Sequence, residues 1–109
     1  MSESYDCDVL IIGGGCAGLT AGLYASRARL KTILLDKLAP GGQLATTHEV
    51  ENYPGFPEVV DGPALMERFA EQAKRFGCEI RSGGVSSVSA DEPVARVVHT
   101  DSGDIRAKA

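Results

Sequence analysis

The residues best suited to chemistry lie in the first third of the chain. Gly13, Gly15 and Gly18 form a G-x-G-x-x-G run directly after the apolar stretch VLII, and Asp36 follows eighteen residues beyond Gly18. Each glycine answers a separate demand. Gly13 permits a tight strand-to-helix turn, Gly15 lets backbone come close to a pyrophosphate, and Gly18 lets the helix pack on a sheet. A helix that starts here turns unpaired N–H groups and the positive end of its dipole toward phosphate oxygens. At the end of the following strand, Asp36 can accept hydrogen bonds from ribose hydroxyls and repel a 2′-phosphate. The pattern predicts a bound dinucleotide whose ribose is not phosphorylated, and leaves NAD and FAD both open.

The remaining reactive side chains read more plainly. Cys7, Cys16 and Cys78 are an odd set with no short C-x-x-C spacing, which suits free thiols in a reducing cytosol. Cys16 would open the helix, where a thiol can be acidified, but its size alone suits the loop. Cys7 and Cys78 read as core residues at strand ends. His48 reads as a solvated loop residue and His99 as a structural or exposed one, and two isolated histidines make no metal site. No catalytic residue and no metal ligand is assigned.

The elements that must position this motif follow from periodicity. CDVLII is a continuous apolar run such as a buried parallel strand needs. A helix is expected over residues 16–29, with Leu19 and Leu23 inward, and a second strand in LKTILLDK. Residues 38–62, rich in Gly and Pro, read as a long loop of functional length with a short helical turn near Gln43. Asp61 and Gly62 can cap a second helix, Pro63 suits its first turn and Gly77 its stop. Leu65, Met66, Phe69, Ala73 and Phe76 form its core stripe, and the charges of MERFAEQAKR its solvated face. CEIRS is a third strand. Residues 85–109 read as two or three antiparallel strands, with a hairpin turn around Ser102 and Gly103. The fold class is α/β: a Rossmann-like parallel sheet with helices and an antiparallel meander at the C-terminal end, apparently incomplete. In a doubly wound sheet the first strand is central, and the strands on its other side are expected from sequence outside these 109 residues, so DVLII is expected to present a bare apolar edge.

Composition narrows the partners. Hydrophobic residues make up 43% and charged residues 24% of 109 residues, values of an ordinary globular domain. The net charge is −4, and the densest basic group, Arg27, Arg29 and Lys31, lies at a helix end, which argues against nucleic acid. No apolar run approaches the ~20 residues that span a bilayer, and MSESYDCD is no secretory signal. A cytoplasmic protein is expected.

The loop carries a more specific signal. GGQL, EVENYPGF and GPALM, taken with GGGCAGLTAGLYASRARLKTILLD, resemble the FAD domain of low-molecular-weight thioredoxin reductases over about residues 7–90. The resemblance implies FAD as the cofactor and residues 1–109 as the N-terminal portion of its domain. It implies Gly13, Gly15, Cys16 and Ala17 at the pyrophosphate, and Asp36 and Lys37 near the adenosine ribose. It implies Gly41, Gly42, Gln43 and Leu44 along the ribityl chain, Thr47 and Asn52 near the isoalloxazine, and Val88 as a backbone contact to adenine. Gln43 and Asn52 carry donors and acceptors, as a flavin edge requires; as loop residues they can equally face solvent or bond their own backbone. Cys16 departs from the proline often found at its position.

By the same resemblance the parent enzyme passes electrons from NADPH through flavin to a disulfide and on to thioredoxin or a similar small protein, as a homodimer. Its NADPH domain, redox C-x-x-C and C-terminal return are not in these 109 residues, so this stretch alone is expected to be inactive. Two alternatives stay open. One is the FAD portion of a peroxide-linked flavoprotein reductase or ferredoxin–NADP reductase. The other is a non-catalytic, truncated nucleotide-binding module.

Overall fold

The computed structural model describes residues 5–37, 49–90 and 96–109. Strand β1 (Val9–Ile12) leads into helix α1 (Cys16–Arg27), followed by β2 (Thr32–Asp36), α2 (Gly62–Arg75), β3 (Glu79–Ser82), β4 (Val85–Ser89), β5 (Arg96–Thr100) and β6 (Gly103–Ala107). Strands β1, β2 and β3 form a parallel sheet in that order, and β4, β5 and β6 an antiparallel one. This is the expected α/β plan with its appended meander.

Strand β2 organises the core. Its alternate side chains enter two clusters, and Thr32 to Leu35 are all buried. Leu34 meets Leu19, Ala73 and Cys78 beneath the two helices. Ile33 and Leu35 point the other way, to Cys7, Ile105 and Ala107 of the antiparallel layer. Helices, parallel sheet and antiparallel sheet are thus three layers with apolar contact on both faces of the middle one. Each fully buried Leu or Ile contributes about 1.5–3 kcal/mol.

Strand β1 differs from its sequence reading. The run VLII looks buried throughout, yet it is half-buried and Ile12 is exposed. On one side β1 pairs with β2. The other side, expected to be bare, is partly covered by this chain's own last residues. Cys7 bridges Ala107 in parallel. The Leu10 N–H donates to the Ala109 carbonyl (2.9 Å), and the Ala109 N–H donates to that of Asp8 (3.0 Å). The Arg106 N–H donates to the Asp6 carboxylate at 2.8 Å.

Both helices end where backbone chemistry requires. Helix α1 stops at Arg27 rather than Arg29, because Arg29 adopts φ 64° and its N–H turns back to the Ser26 carbonyl. Helix α2 opens on Asp61, whose carboxylate accepts from the Ala64 N–H at 3.0 Å, with Pro63 in the first turn. It closes before Gly77, at φ 106°. The stripe on α2 is buried at Leu65, Met66 and Ala73, but Phe76 lies beyond the last helical residue and is 40% exposed. Its ring carries the guanidinium groups of Arg27 and Arg75, each at 5.6 Å. The loop before α2 is pinched shut by reciprocal hydrogen bonds between Val50 and Val60. Tyr53 packs its ring on Phe56 and on Phe69 of α2, which anchors the loop to the helix.

Candidate functional site

A cleft of about 320 Å³ lies at the carboxyl ends of the parallel strands, lined by Ile12, Gly13, Leu35, Asp36, Lys37, Gly83, Gly84 and Val85. Open α/β sheets bind ligands at that edge. The cleft is built by three strand ends. Gly13 turns the chain out of β1 at φ 105°, a conformation that favours glycine. The Gly13 N–H bonds to the Leu35 carbonyl and the Gly83 N–H to the Asp36 carbonyl, both at 2.8 Å, so all three exits are tied together.

The glycine run is held by close backbone fit. A Cβ on Gly18 would lie far inside van der Waals contact with the Gly13 carbonyl oxygen, with Ile11 Cγ2 at 3.4 Å. Gly18 therefore brings the helix against the turn itself as well as the sheet. Gly15 is the N-cap of α1. Among the described residues no side chain caps this helix, and its first turn has no acidic residue. Helix α2, by contrast, closes its own start with Asp61. The first N–H groups of α1 are left to an outside acceptor, and the dipole favours an anion there.

Two contributors escaped the sequence reading. The Gly14 N–H donates to Asp36 Oδ2 at 2.6 Å, and a Cβ on Gly14 would meet that same oxygen at 2.6 Å. The carboxylate expected to serve a ribose thus also fixes the turn, and a side chain on the middle glycine would displace it. The second contributor is the Gly83–Gly84–Val85 link, which forms a cleft wall of largely bare backbone. The adjacent glycines of this link were the available signal.

Of the expected contact residues, the structure brings Gly13, Asp36 and Lys37 to the cleft, with Gly15, Cys16 and Ala17 at the start of α1 beside Gly13. Asn52 lies apart, in a separate depression of about 480 Å³ on the loop formed by residues 51–57. Val88 sits within β4, paired with Val98 and 49% exposed, while Val85 of the same strand lines the cleft. Gly41, Gly42, Gln43, Leu44, Thr47 and His48 lie outside the described residues. His99 holds Asp104 across the β5–β6 hairpin at 2.9 Å.

All three thiols are free. Cys7 and Cys78 are buried, and burial pushes both thiols above the ordinary range, with Asp6 adding to the effect at Cys7. Cys16 is exposed. A thiol reagent at neutral pH is expected to modify Cys16 promptly in the folded apoprotein, and Cys7 and Cys78 only on unfolding. Equal rates at all three would contradict this burial pattern.

The model of the family described as pyridine nucleotide-disulphide oxidoreductase matches residues 7–108. The chain belongs to that family. It is 45% identical over all 109 residues to thioredoxin reductase of Bacillus subtilis, covering 34% of that protein. It is 47% identical over 102 residues, 94% of its length, to the bifunctional thioredoxin reductase/thioredoxin of Mycobacterium leprae, covering 22% of it. A solved thioredoxin reductase structure from Gloeobacter violaceus superposes with a TM-score of 0.90 at 42% identity, over 96% of this chain and 33% of that one. The chain spans about a third or less of the length of these relatives. The family is one of flavoprotein oxidoreductases, and the α/β plan predicted above is the one its members share.

Proposed function

We propose that residues 1–109 are the FAD-binding portion of an NADPH-dependent reductase that passes electrons to the disulfide of thioredoxin or a similar small protein. The observation that carries this reading is the uncapped N-terminus of α1, set behind the Gly13 turn and beside Asp36 at the carboxyl edge of the sheet. The residues present fit a dinucleotide: a glycine turn without side chains, open N–H donors for a pyrophosphate, and a carboxylate for ribose hydroxyls. Glycine is favoured at position 13 by its φ of 105° and demanded at position 18 by the Gly13 carbonyl, so the turn takes its shape from the chain itself.

When bound, FAD supplies the hydride and electron chemistry. The chain's own residues bind and orient it. Gly13, Gly15, Cys16 and Ala17 face the pyrophosphate with backbone, Asp36 and Lys37 take the adenosine ribose, and Gly41, Gly42, Gln43, Leu44, Thr47 and Asn52 serve the ribityl chain and flavin. For the adenine, the position of Val85 in the cleft favours the start of β4 over Val88. NADPH, the redox dithiol, a homodimer and a cytosolic setting belong to the longer protein and to the same proposal. Among the described residues no helix is long and apolar enough to cross a membrane.

The test uses the full-length protein. It should purify with a flavin absorbance spectrum and catalyse NADPH-dependent reduction of thioredoxin. FAD should protect Cys16 of the apoprotein from thiol reagents. Peroxide reduction without thioredoxin reduction would favour the peroxide-linked alternative. A protein that takes up no flavin would refute the cofactor assignment.

A further inference from the structure

The cleft wall opposite the glycine turn has an unusual support. Gly83 and Gly84 join β3 to β4 and offer no side chain to the cleft they line. Such a link would ordinarily be loose, since glycine restrains its backbone least. Here it is held from behind by one residue, Asp101, at the turn of the β5–β6 hairpin. The Gly84 N–H donates to Asp101 Oδ2 at 3.1 Å, and the Asp101 N–H donates back to the Gly84 carbonyl at 3.1 Å. The two carboxylate oxygens divide between the two glycines. A Cβ built on Gly83 would lie 3.6 Å from Oδ1, and one on Gly84 would lie 3.4 Å from Oδ2. From the other side, the Gly83 N–H is held by the Asp36 carbonyl. The link is therefore suspended between the end of β2 and a hairpin turn seventeen residues further along.

We propose that Asp101 is a positioning residue for the cofactor. It touches no ligand; it fixes the Gly83–Gly84 backbone at the spacing from Asp36 that the adenosine end requires. The proposal rests on the dinucleotide reading above. A bare peptide wall can lie flat against a nucleobase only if its own N–H and C=O groups are already satisfied and immobile, and a charge-assisted bond from a carboxylate does this more firmly than water. Freed of Asp101, the glycine pair gains conformations that binding must then remove, which lowers affinity without removing a contact.

The experiment compares Asp101→Ala and Asp101→Asn with wild type in the full-length protein, stripped of flavin. FAD and ADP are titrated separately, and the flavin spectrum is recorded at saturating FAD. ADP carries the adenosine and pyrophosphate and no flavin, so it reports this end of the site alone. Asp101→Ala should weaken both FAD and ADP about tenfold, the order expected for loss of one hydrogen bond to a charged group, and leave the saturated flavin spectrum unchanged. Asp101→Asn keeps an oxygen for the Gly84 N–H and should stay within about threefold of wild type. Should Asp101→Ala fail to fold, Asp101→Glu takes its place: it keeps the charge but sets the carboxylate one methylene away from its present 3.1 Å hold on the Gly84 N–H, and should likewise weaken ADP.

Unchanged FAD and ADP affinities in Asp101→Ala would overturn the proposal while leaving the FAD reading intact. An altered flavin spectrum with unchanged ADP affinity, or an Asn variant as weak as Ala, would overturn it too. Wild-type protein that binds no FAD would remove the reading on which it rests, and the proposal with it.

Discussion

Gly18→Ala in the full-length protein should cost about 3 kcal/mol or more and empty the flavin site, well above the usual price of one added methyl group. The reason is what the new Cβ would strike. It would land on the Gly13 carbonyl oxygen, a backbone atom inside a turn already committed to φ 105°, with Ile11 behind it. No rotamer change relieves that overlap, so either the turn opens or the helix lifts from the sheet. Gly14→Ala makes the informative comparison. Its Cβ would meet Asp36 Oδ2 at 2.6 Å, but a carboxylate can rotate away at the loss of one charge-assisted hydrogen bond, about 1.5–3 kcal/mol and less than the backbone overlap at Gly18. Urea midpoints of the two apoproteins measure the difference. A Gly14→Ala variant less stable than Gly18→Ala would mean that the turn, and not the Asp36 side chain, is the yielding partner.

Asp36→Ala should raise the FAD dissociation constant about 10- to 150-fold, which corresponds to about 1.5–3 kcal/mol for charge-assisted hydrogen bonds. Two effects combine in that figure. The ribose loses its acceptor, and the Gly14 N–H loses the oxygen now 2.6 Å away. Stability of the apoprotein isolates the second effect, since no ligand is present. Asp36→Asn retains an acceptor for Gly14 and should restore most of the apoprotein stability while still binding FAD less tightly than wild type. FAD affinity unchanged in Asp36→Ala would end the ribose assignment.

How far these sites could be read beforehand depends on the kind of signal each one leaves. The Gly13 turn, the start of α1 and the place of Asp36 were legible because local rules of backbone conformation and periodicity determine them. The importance of Gly14 was not, because it arises from a carboxylate twenty-two residues away. The apolar run VLII read as a strand buried on all sides, but burial depends on neighbours, and β1 has only part of one edge covered by residues 107–109. Phe76 keeps the helical spacing of its stripe, yet α2 ends one residue earlier, so the ring faces the arginines instead of the core. At β4 the pairing with β5 shifts register between Val85 and Ser87. An irregularity of that kind is invisible to alternation, and it separates the valine that lines the cleft from the one that does not.

The ladder between residues 6–10 and 106–109 bears on how the protein is made. Val9 to Ile12 can pair with β2 as soon as residue 35 exists. Their outer neighbour comes far later, since the Asp6 carboxylate must wait for the N–H of Arg106, a hundred residues downstream. At about 5–20 residues per second on the ribosome, that flank stays unpartnered for roughly 5–20 s after its own synthesis. A strand edge so long uncovered is open to pairing with other chains. The acidic residues Asp6 and Asp8 stand at its start, where charge discourages a foreign strand during that interval. Asp8 is engaged in two stages: its carboxylate accepts from the Lys31 N–H at 2.8 Å as β1 and β2 pair, and it meets Lys108 at 3.3 Å only after residue 108 is made.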